Sequence, residues 1–283
     1  MRSVGIAVLV CFAGVAFAAP TKQAVTQAHP AKAAKSAKAT KKTTTKSTRS
    51  TRSSKKRVAK KRWRPTRGRA ATPDEITSTA WYRYANMAGA DCLRELDARK
   101  ISYAREATDG TRGVDVAVRL TGPLHGVELR TNLSATRRAT TPWEIADCRL
   151  VLALDDFAEI LAAHDIVDVR HYSMHRLVPK SWPDGKPTKQ HMAGRAIDAA
   201  RFIKRDGSYL DVDKHFHGAI GAATCGDKAA PRPATAEAVE LRAILCEAVT
   251  RRLFNVVLTP NYNRAHKNHF HLEVAEGTWF LVH

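Results

Sequence analysis

Two short segments of the chain contain the residue types that build metal sites. His191 is followed seven positions later by Asp198, and the segment His266-Lys-Asn-His269-Phe-His271 places three histidines within six residues. Residues two apart in a strand point to the same face, so His269 and His271 can converge on one centre. Two histidines and a carboxylate leave the fourth position of a tetrahedral zinc ion open for water. The pattern predicts a hydrolytic metal centre; the alternative is that these histidines are unrelated core or surface residues.

The elements that must position these residues are helices and strands mixed without regular alternation. Apolar residues at helical spacing predict helices over 74–87, 91–100, 155–164 and 235–251. Alternating or continuous apolar runs predict strands over 114–120, 124–130, 166–173, 194–203, 209–212, 256–258 and 269–274. Since the chain shows neither an internal repeat nor a regular strand–helix–strand period, we predict an α+β fold: a small, mainly antiparallel sheet with flanking helices.

The charge of the chain is concentrated towards its N-terminal end. The 283 residues include 47 Lys and Arg against 27 Asp and Glu, for a net charge of +20. Of the basic residues, 18 lie in 21–71, which contains no acid, whereas the 28 basic and 27 acidic residues of 72–283 nearly cancel. We therefore expect a disordered basic tail over 19–71 and one near-neutral domain over 72–283, which excludes a uniformly basic globule.

The first 18 residues indicate export. Met1-Arg2 is followed by an apolar run over 4–18 that ends in Ala16-Phe17-Ala18, which is typical of a cleaved secretory signal peptide. An uncleaved membrane anchor is the alternative. In the periplasm, in the cell envelope or outside the cell, the tail would meet envelope polymers or anionic lipid rather than nucleic acid. A solvated spacer is the other interpretation of the tail.

Four cysteines remain outside the signal segment: Cys92, Cys148, Cys225 and Cys246. An even number in an exported chain favours two disulfides, although four cysteines allow three pairings. We expect the nearest-neighbour pairing, Cys92–Cys148 and Cys225–Cys246. The alternatives are four unpaired buried thiols or a cysteine metal site, and the absence of a CxxC spacing argues against the latter.

The order of these motifs resembles that of the bacterial extensin-like C-terminal domain family. Its typical segments are SYxCR, then SEHAxGxAxDxxxF, then a Cys followed by an aromatic residue, a β-strand and Pro, and finally HxDHFHLD. The matching stretches here are Tyr172–Arg176, His191–Phe202 with Asp206-Gly207, Phe254–Pro260 after Cys246, and His266–Glu273. The family is related to the D-Ala-D-Ala carboxypeptidases and penicillin-insensitive murein endopeptidases of peptidoglycan, and its name does not imply a plant wall extensin.

The resemblance implies a zinc-peptidase-like core with Zn2+ as cofactor. The metal ligands that it implies are His191, Asp198 and His271. It also places His269 beside the metal water, His266 in a position to orient the site or the substrate, and Arg176 as a clamp for a carboxylate or an oxyanion. Gly194 fits a close backbone approach beside the ligands. The implied partner is peptidoglycan or another envelope polymer.

Three departures from the family pattern limit what the resemblance implies. Lys189-Gln190 replace Ser-Glu before the first histidine, and Asn268 replaces the acid of HxDHFHLD. His175 replaces the cysteine of SYxCR, so the bridge made by that cysteine is lost or rerouted, for instance to Cys225. An amide cannot take a proton from the metal water, whereas His269 can.

These observations favour an exported zinc hydrolase that cleaves amide bonds in cell-wall peptides. Asn268 keeps an alternative open, a non-catalytic zinc-bearing module that binds the cell wall. Another zinc hydrolase and a metal-free structural protein that binds polyanions are the further alternatives.

Overall fold

A computed structural model describes residues 72–107 and 111–283. Within these ranges the helices are α1 Pro73–Thr77, α2 Ala80–Ala85, α3 Gly89–Ala98, α4 Ala135–Arg138, α5 Cys148–Ala163, α6 Val212–His215 and α7 Ala236–Thr250. The strands are β1 Tyr103–Arg105, β2 Ala117–Leu120, β3 Glu128–Arg130, β4 Ile145–Asp147, β5 Ile166–His171, β6 Ala196–Lys204, β7 Tyr209–Asp211, β8 Val256–Leu258, β9 Phe270–Glu273 and β10 Leu281–Val282. The α+β prediction is confirmed. The predicted signal peptide and basic tail lie outside the described residues.

The strands form two sheets rather than the one that the sequence pattern predicts. A seven-stranded sheet has the order β10-β8-β9-β6-β5-β3, and β7 pairs with β6 beside this path; β1, β2 and β4 form a second sheet. The larger sheet is mainly antiparallel, as predicted, with parallel pairs only at β3–β5 and β8–β10. The central strand β6 is long enough to pair along its first half with β9 and along its second half with β7.

The core lies on one face of the larger sheet. Ile197 and Ala199 of β6 and Phe270 and Leu272 of β9 belong to it, together with most of α5. Because side chains alternate along a strand, the residues between them point to the opposite face. The polar residues Asp198 and His271 are such residues. No helix in the described part of the chain is long and apolar enough to cross a membrane.

Two predicted helix boundaries were wrong for identifiable reasons. Helix α5 begins at Cys148, seven residues before the predicted start, because its first turns are buried on nearly every side and lack the periodicity of an amphipathic helix. Its N-cap is Asp147, whose side chain accepts from Arg149 N. The helix predicted over 74–87 is divided at Thr79, whose hydroxyl accepts from Tyr82 N and thus starts a new helix.

Two disulfides join the pairs predicted from sequence order, Cys92–Cys148 and Cys225–Cys246. The first links α3 to the start of α5, and both of its cysteines are fully buried. The second links α7 to the loop that precedes it.

We expect removal of the two disulfides to destabilise the domain unequally. The bridges close loops of 56 and 21 residues, so the chain-entropy relation gives about 4 and about 3 kcal/mol. The double variants C92A/C148A and C225A/C246A should therefore lower the free energy of unfolding, the former by more. Denaturant titration of both variants checks the order, and a larger loss for C225A/C246A would contradict it.

Candidate metal centre

Three buried polar side chains converge on the face of the sheet opposite the core. Asp198 on β6 and His271 on β9 are direct partners in the antiparallel register, and His191 comes from the 3-10 turn Gln190–Ala193 before β6. His191 Nε2 lies 3.0 Å from Asp198 Oδ1 and 3.2 Å from His271 Nδ1. The third separation, from His271 Nδ1 to Asp198 Oδ1, is 3.1 Å. The three atoms form a nearly equilateral triangle.

The remaining ring nitrogens are held by acceptors, which orients both imidazoles. His191 Nδ1 lies 3.2 Å from the carbonyl oxygen of Met174, and His271 Nε2 lies 3.4 Å from Glu273 Oε2. A carbonyl or a carboxylate can only accept here, so each of these nitrogens carries the proton. Although burial opposes it, the Asp198 and Glu273 carboxylates raise the pKa of His271 to about 9. In the neutral form that a metal ligand takes, His191 Nε2 and His271 Nδ1 would direct their lone pairs into the triangle. Metal-binding histidines are oriented by acceptors in this way.

The triangle has the size that a tetrahedral zinc ion requires. Zinc bonds of roughly 2.0–2.2 Å to nitrogen and oxygen at tetrahedral angles place ligand atoms about 3.3 Å apart. The observed separations of 3.0–3.2 Å are close to this value. Two imidazole nitrogens and one carboxylate oxygen are also a donor set that zinc accepts, with one position left for water or substrate. The residues therefore fit the ion that the resemblance implies.

Asp198 is the charged centre of the site, and it is only 1% exposed. Burial alone would raise the pKa of its carboxyl, but the imidazoles of His191, His269 and His271, each with a ring nitrogen within 3.3 Å of Oδ1, outweigh this effect and hold the pKa well below its ordinary value. Arg176 Nη2 donates to Asp198 Oδ2. Oδ1 therefore faces the histidines while Oδ2 is fixed by the guanidinium. The carboxylate remains ionised, as a metal ligand must.

The two candidate histidines outside the triangle have different environments. His269 Nε2 lies 3.3 Å from Asp198 Oδ1, beside the triangle. The ring of His266 packs against His269 in a tilted contact and against His271 edge-on, with ring centres 5.2 Å and 5.8 Å away. His266 Nδ1 lies 2.9 Å from Asn263 Oδ1. Burial and the neighbouring histidines lower the pKa of His266 to about 4, so it is neutral near pH 7.

Asn268 orients His269 through a chain of hydrogen bonds. The amide Nδ2 of Asn268 donates to the hydroxyl of Tyr172 at 3.0 Å, which turns Oδ1 towards His269 Nδ1 at 3.0 Å. Because an amide oxygen only accepts, His269 Nδ1 carries a proton. The tyrosine ring packs edge-on against the His269 ring, with centres 5.7 Å apart. The other ring nitrogen of His269, Nε2, thus faces Asp198 Oδ1 of the triangle.

Gly194 connects the turn that bears His191 to the rest of the domain. Its φ of +65° lies in the left-handed region, and its carbonyl accepts from Asp147 N at 2.8 Å. A Cβ at this position would lie 2.8 Å from Asp147 N and 3.2 Å from Ala146 C. The close backbone approach predicted from sequence is confirmed, and it is an approach to β4.

All six residues that the sequence analysis names as site candidates lie in one cluster. The sequence prediction missed the groups that orient them: the Met174 carbonyl, Tyr172, Glu273 and the amide of Asn268 acting on His269. Glu273 follows His271 by two positions, so the alternation rule that paired His269 with His271 also identifies it. His175, in place of the family cysteine, is fully buried instead of forming a bridge.

The fold and the site define an α+β domain with a buried His–Asp–His cluster on the polar face of its main sheet. Residues 90–281 match the family described as Extensin-like protein C-terminus. The match covers more than half of the chain, and the chain belongs to this family. Searches of curated proteins and of solved structures give no match.

We expect the full chain to bind about one zinc ion, and His271→Ala to abolish this binding because it removes one of three ligands. His164→Gln is a matched control, since His164 is also partly buried and paired with a carboxylate, Glu240, but caps α5 outside the cluster. Elemental analysis after reconstitution and dialysis measures the bound zinc. Equal zinc content in His271→Ala and the wild type would exclude this metal centre.

Gly194→Ala should destabilise the domain and weaken metal binding together. The left-handed conformation costs an L-residue about 1–2 kcal/mol, and the contact with β4 adds about 1–3 kcal/mol. Thermal unfolding measures the first effect and zinc titration the second. Gly207→Ala is the comparison, because Gly207 has a φ of +87° but nothing within 4 Å of an added Cβ. Equal losses in the two variants would show that the β4 contact contributes nothing.

Proposed function

We propose that the protein is an exported zinc-dependent hydrolase of the D-Ala-D-Ala carboxypeptidase or murein endopeptidase type, which cleaves amide bonds in cell-wall peptides. The observation that carries the proposal is the arrangement of the ligand triangle with Nε2 of His269 beside it. A closed structural zinc site would occupy all four positions with protein ligands, whereas three ligands and an adjacent base are typical of hydrolysis.

The side chains divide the work of this reaction. Zinc, when bound, supplies Lewis-acid polarisation of an amide carbonyl and acidification of water. His269 Nε2 accepts the proton of the attacking water and returns it to the leaving amine. Asn268 and Tyr172 hold His269 in the tautomer that this transfer requires. His266 packs against His269 and His271 and limits their movement.

Arg176 has two parts to play in the proposed mechanism. It fixes Asp198 Oδ2, and its Nε donates to Ser173 Oγ at 2.9 Å. Its side chain is nevertheless 54% exposed. An exposed guanidinium beside the ligands suits a substrate carboxylate or the oxyanion that develops during attack.

The location and partners in this proposal rest on the N-terminal sequence. Residues 1–18 direct export, and 21–71 attract anionic envelope polymers or lipid headgroups. The partner of the folded domain is peptidoglycan. This basic segment contributes attraction to the wall, while the near-neutral domain contributes the chemistry.

A second candidate function is supported by Asn268 alone. An amide at the position of the family acid cannot act as a base, which favours a zinc-bearing module that binds the wall without cleaving it. The geometry of His269 favours the hydrolase, because its Nε2 lies beside the triangle and could accept a proton once a metal engages Asp198 Oδ1.

We expect the zinc-loaded full chain to release peptide fragments from purified murein, and His269→Ala to reduce the rate by about 10²–10⁴-fold, the usual contribution of a general base. Since His269 is outside the ligand triangle, this variant should keep its zinc. Asn268→Asp should remain active, because a carboxylate also accepts from His269 Nδ1. Chromatography of the released fragments measures the rates.

The same digest decides between the two functions. Wild type that sediments with murein but releases nothing would support the binding module and reject the hydrolase. Identical products and rates from the wild type and from zinc-loaded His269→Ala would remove His269 from the mechanism.

A further inference from the structure

Three arginines lie side by side across three adjacent strands of the larger sheet. Arg130 of β3 is the register partner of Arg170 of β5, and Arg170 is the partner of Arg201 of β6. Like charges directly opposite each other destabilise a sheet unless they are compensated. A row of three therefore requires an explanation.

Two carboxylates compensate this row only in part. Asp168 Oδ2 accepts from Arg130 Nε at 2.8 Å and from Arg170 Nη2 at 3.0 Å. Asp211 Oδ2 accepts from Arg201 Nε at 3.0 Å and Nη2 at 2.8 Å. Its other oxygen, Oδ1, caps the short helix α6 by accepting from two backbone N–H groups. Asp168 Oδ1 also lies 2.9 Å from Arg170 Nε. Three guanidinium groups thus share two carboxylates.

A small cavity of about 60 Å³ opens within this row. Its walls include Arg170, Arg201, Asp211, Tyr172, Ala200 and Asn132. Two further carboxylates, Glu128 and Glu144, influence Arg130, but neither lines the cavity. His171 also lines the cavity and adds no charge near pH 7, because burial lowers its pKa to about 3. The three arginines of the row and the two aspartates, Asp168 and Asp211, leave one positive charge. A single anionic group balances that excess, and the guanidinium fork is well suited to a carboxylate.

Tyr172 joins this cavity to the metal centre. Its hydroxyl accepts from Asn268, its ring packs on His269, and its backbone N–H donates to the carbonyl of Asp198 at 2.9 Å. Along β6, Ala200 follows Asp198 by two residues, which corresponds to roughly 7 Å of strand. An extended peptide with its reacting amide at the triangle would reach the cavity about two residues away.

We propose that this cavity binds a free carboxylate of the substrate, about two residues from the amide that is cleaved, so that the substrate is an acidic peptide. The inference rests on the proposed hydrolase for the position of the amide. The recognition itself depends only on the arginines and on the cavity.

The test uses synthetic peptides that share a D-Ala residue before a central amide. Each peptide carries either glutamate or glutamine two residues from that amide. Both types are made with this residue on the N-terminal side and on the C-terminal side of the amide. Calorimetric titration of the zinc-loaded full chain should show about tenfold tighter binding of one glutamate peptide than of its glutamine counterpart. Arg201→Gln should remove this preference by weakening only the glutamate complex. Ala200→Glu, which places a carboxylate at the cavity wall, should remove it as well.

Arg251→Gln is the matched control. Arg251 has a side-chain exposure of 37% and an ion pair of 2.7 Å with Glu159, against 41% and 2.8 Å for Arg201 with Asp211. It should keep the full preference for glutamate. Circular dichroism verifies that each variant is folded.

Binding and hydrolysis in the same samples separate the two proposals. Equal affinity for glutamate and glutamine peptides in the wild type, a failure to bind any of them, or a preference that survives in folded Arg201→Gln overturns the carboxylate site. Cleavage of both peptides without preference leaves the hydrolase standing. A glutamate preference in binding without any cleavage supports the carboxylate site and contradicts the hydrolase.

Discussion

The site depends on one buried carboxylate. Asp198 is almost inaccessible to solvent, and an isolated ionised carboxylate in such a position would be strongly unfavourable. Histidines on one oxygen and Arg176 on the other make its burial possible. These partners come from three separate parts of the chain, and their positions are fixed by the need to meet this charge. The sheet, the turn before β6 and the segment after β5 are thus coupled at a single residue.

The sequence identified the residues that cluster at the site more completely than the helices, strands and contacts that position them. Alternation along a strand was enough to place His269 and His271 on one face, and motif order supplied His191 and Asp198. The early start of α5 was not visible, because a helix buried on all sides has no periodic pattern. The division into two sheets depends on pairings between distant strands, which local patterns do not encode. Contacts between distant segments, such as Tyr172 with Asn268 or Arg170 with Arg201, can be predicted only when the register of the strands is known.

Asn268, which replaces the family acid, has a defined place in the structure. Asn268 makes two directed hydrogen bonds, one to Tyr172 and one to His269, and its donor and acceptor ends determine which way each points. The amide of Asn268 cannot accept a proton as a base, but its oxygen keeps a proton on Nδ1 of His269. The proposed base function thus moves by one residue along the chain, from position 268 to position 269.

The direct pairing of Asp198 with His271 connects the candidate metal centre to the way the sheet is assembled. A shift of β9 against β6 by one residue would turn its side chains to the other face, so that Phe270 replaced His271 beside Asp198. Such a misaligned sheet would lack one of the three donors. An ion that binds only the complete set stabilises the correct pairing by mass action and leaves slipped pairings without support. Metal availability in the compartment where the chain folds would then influence how accurately its strands align.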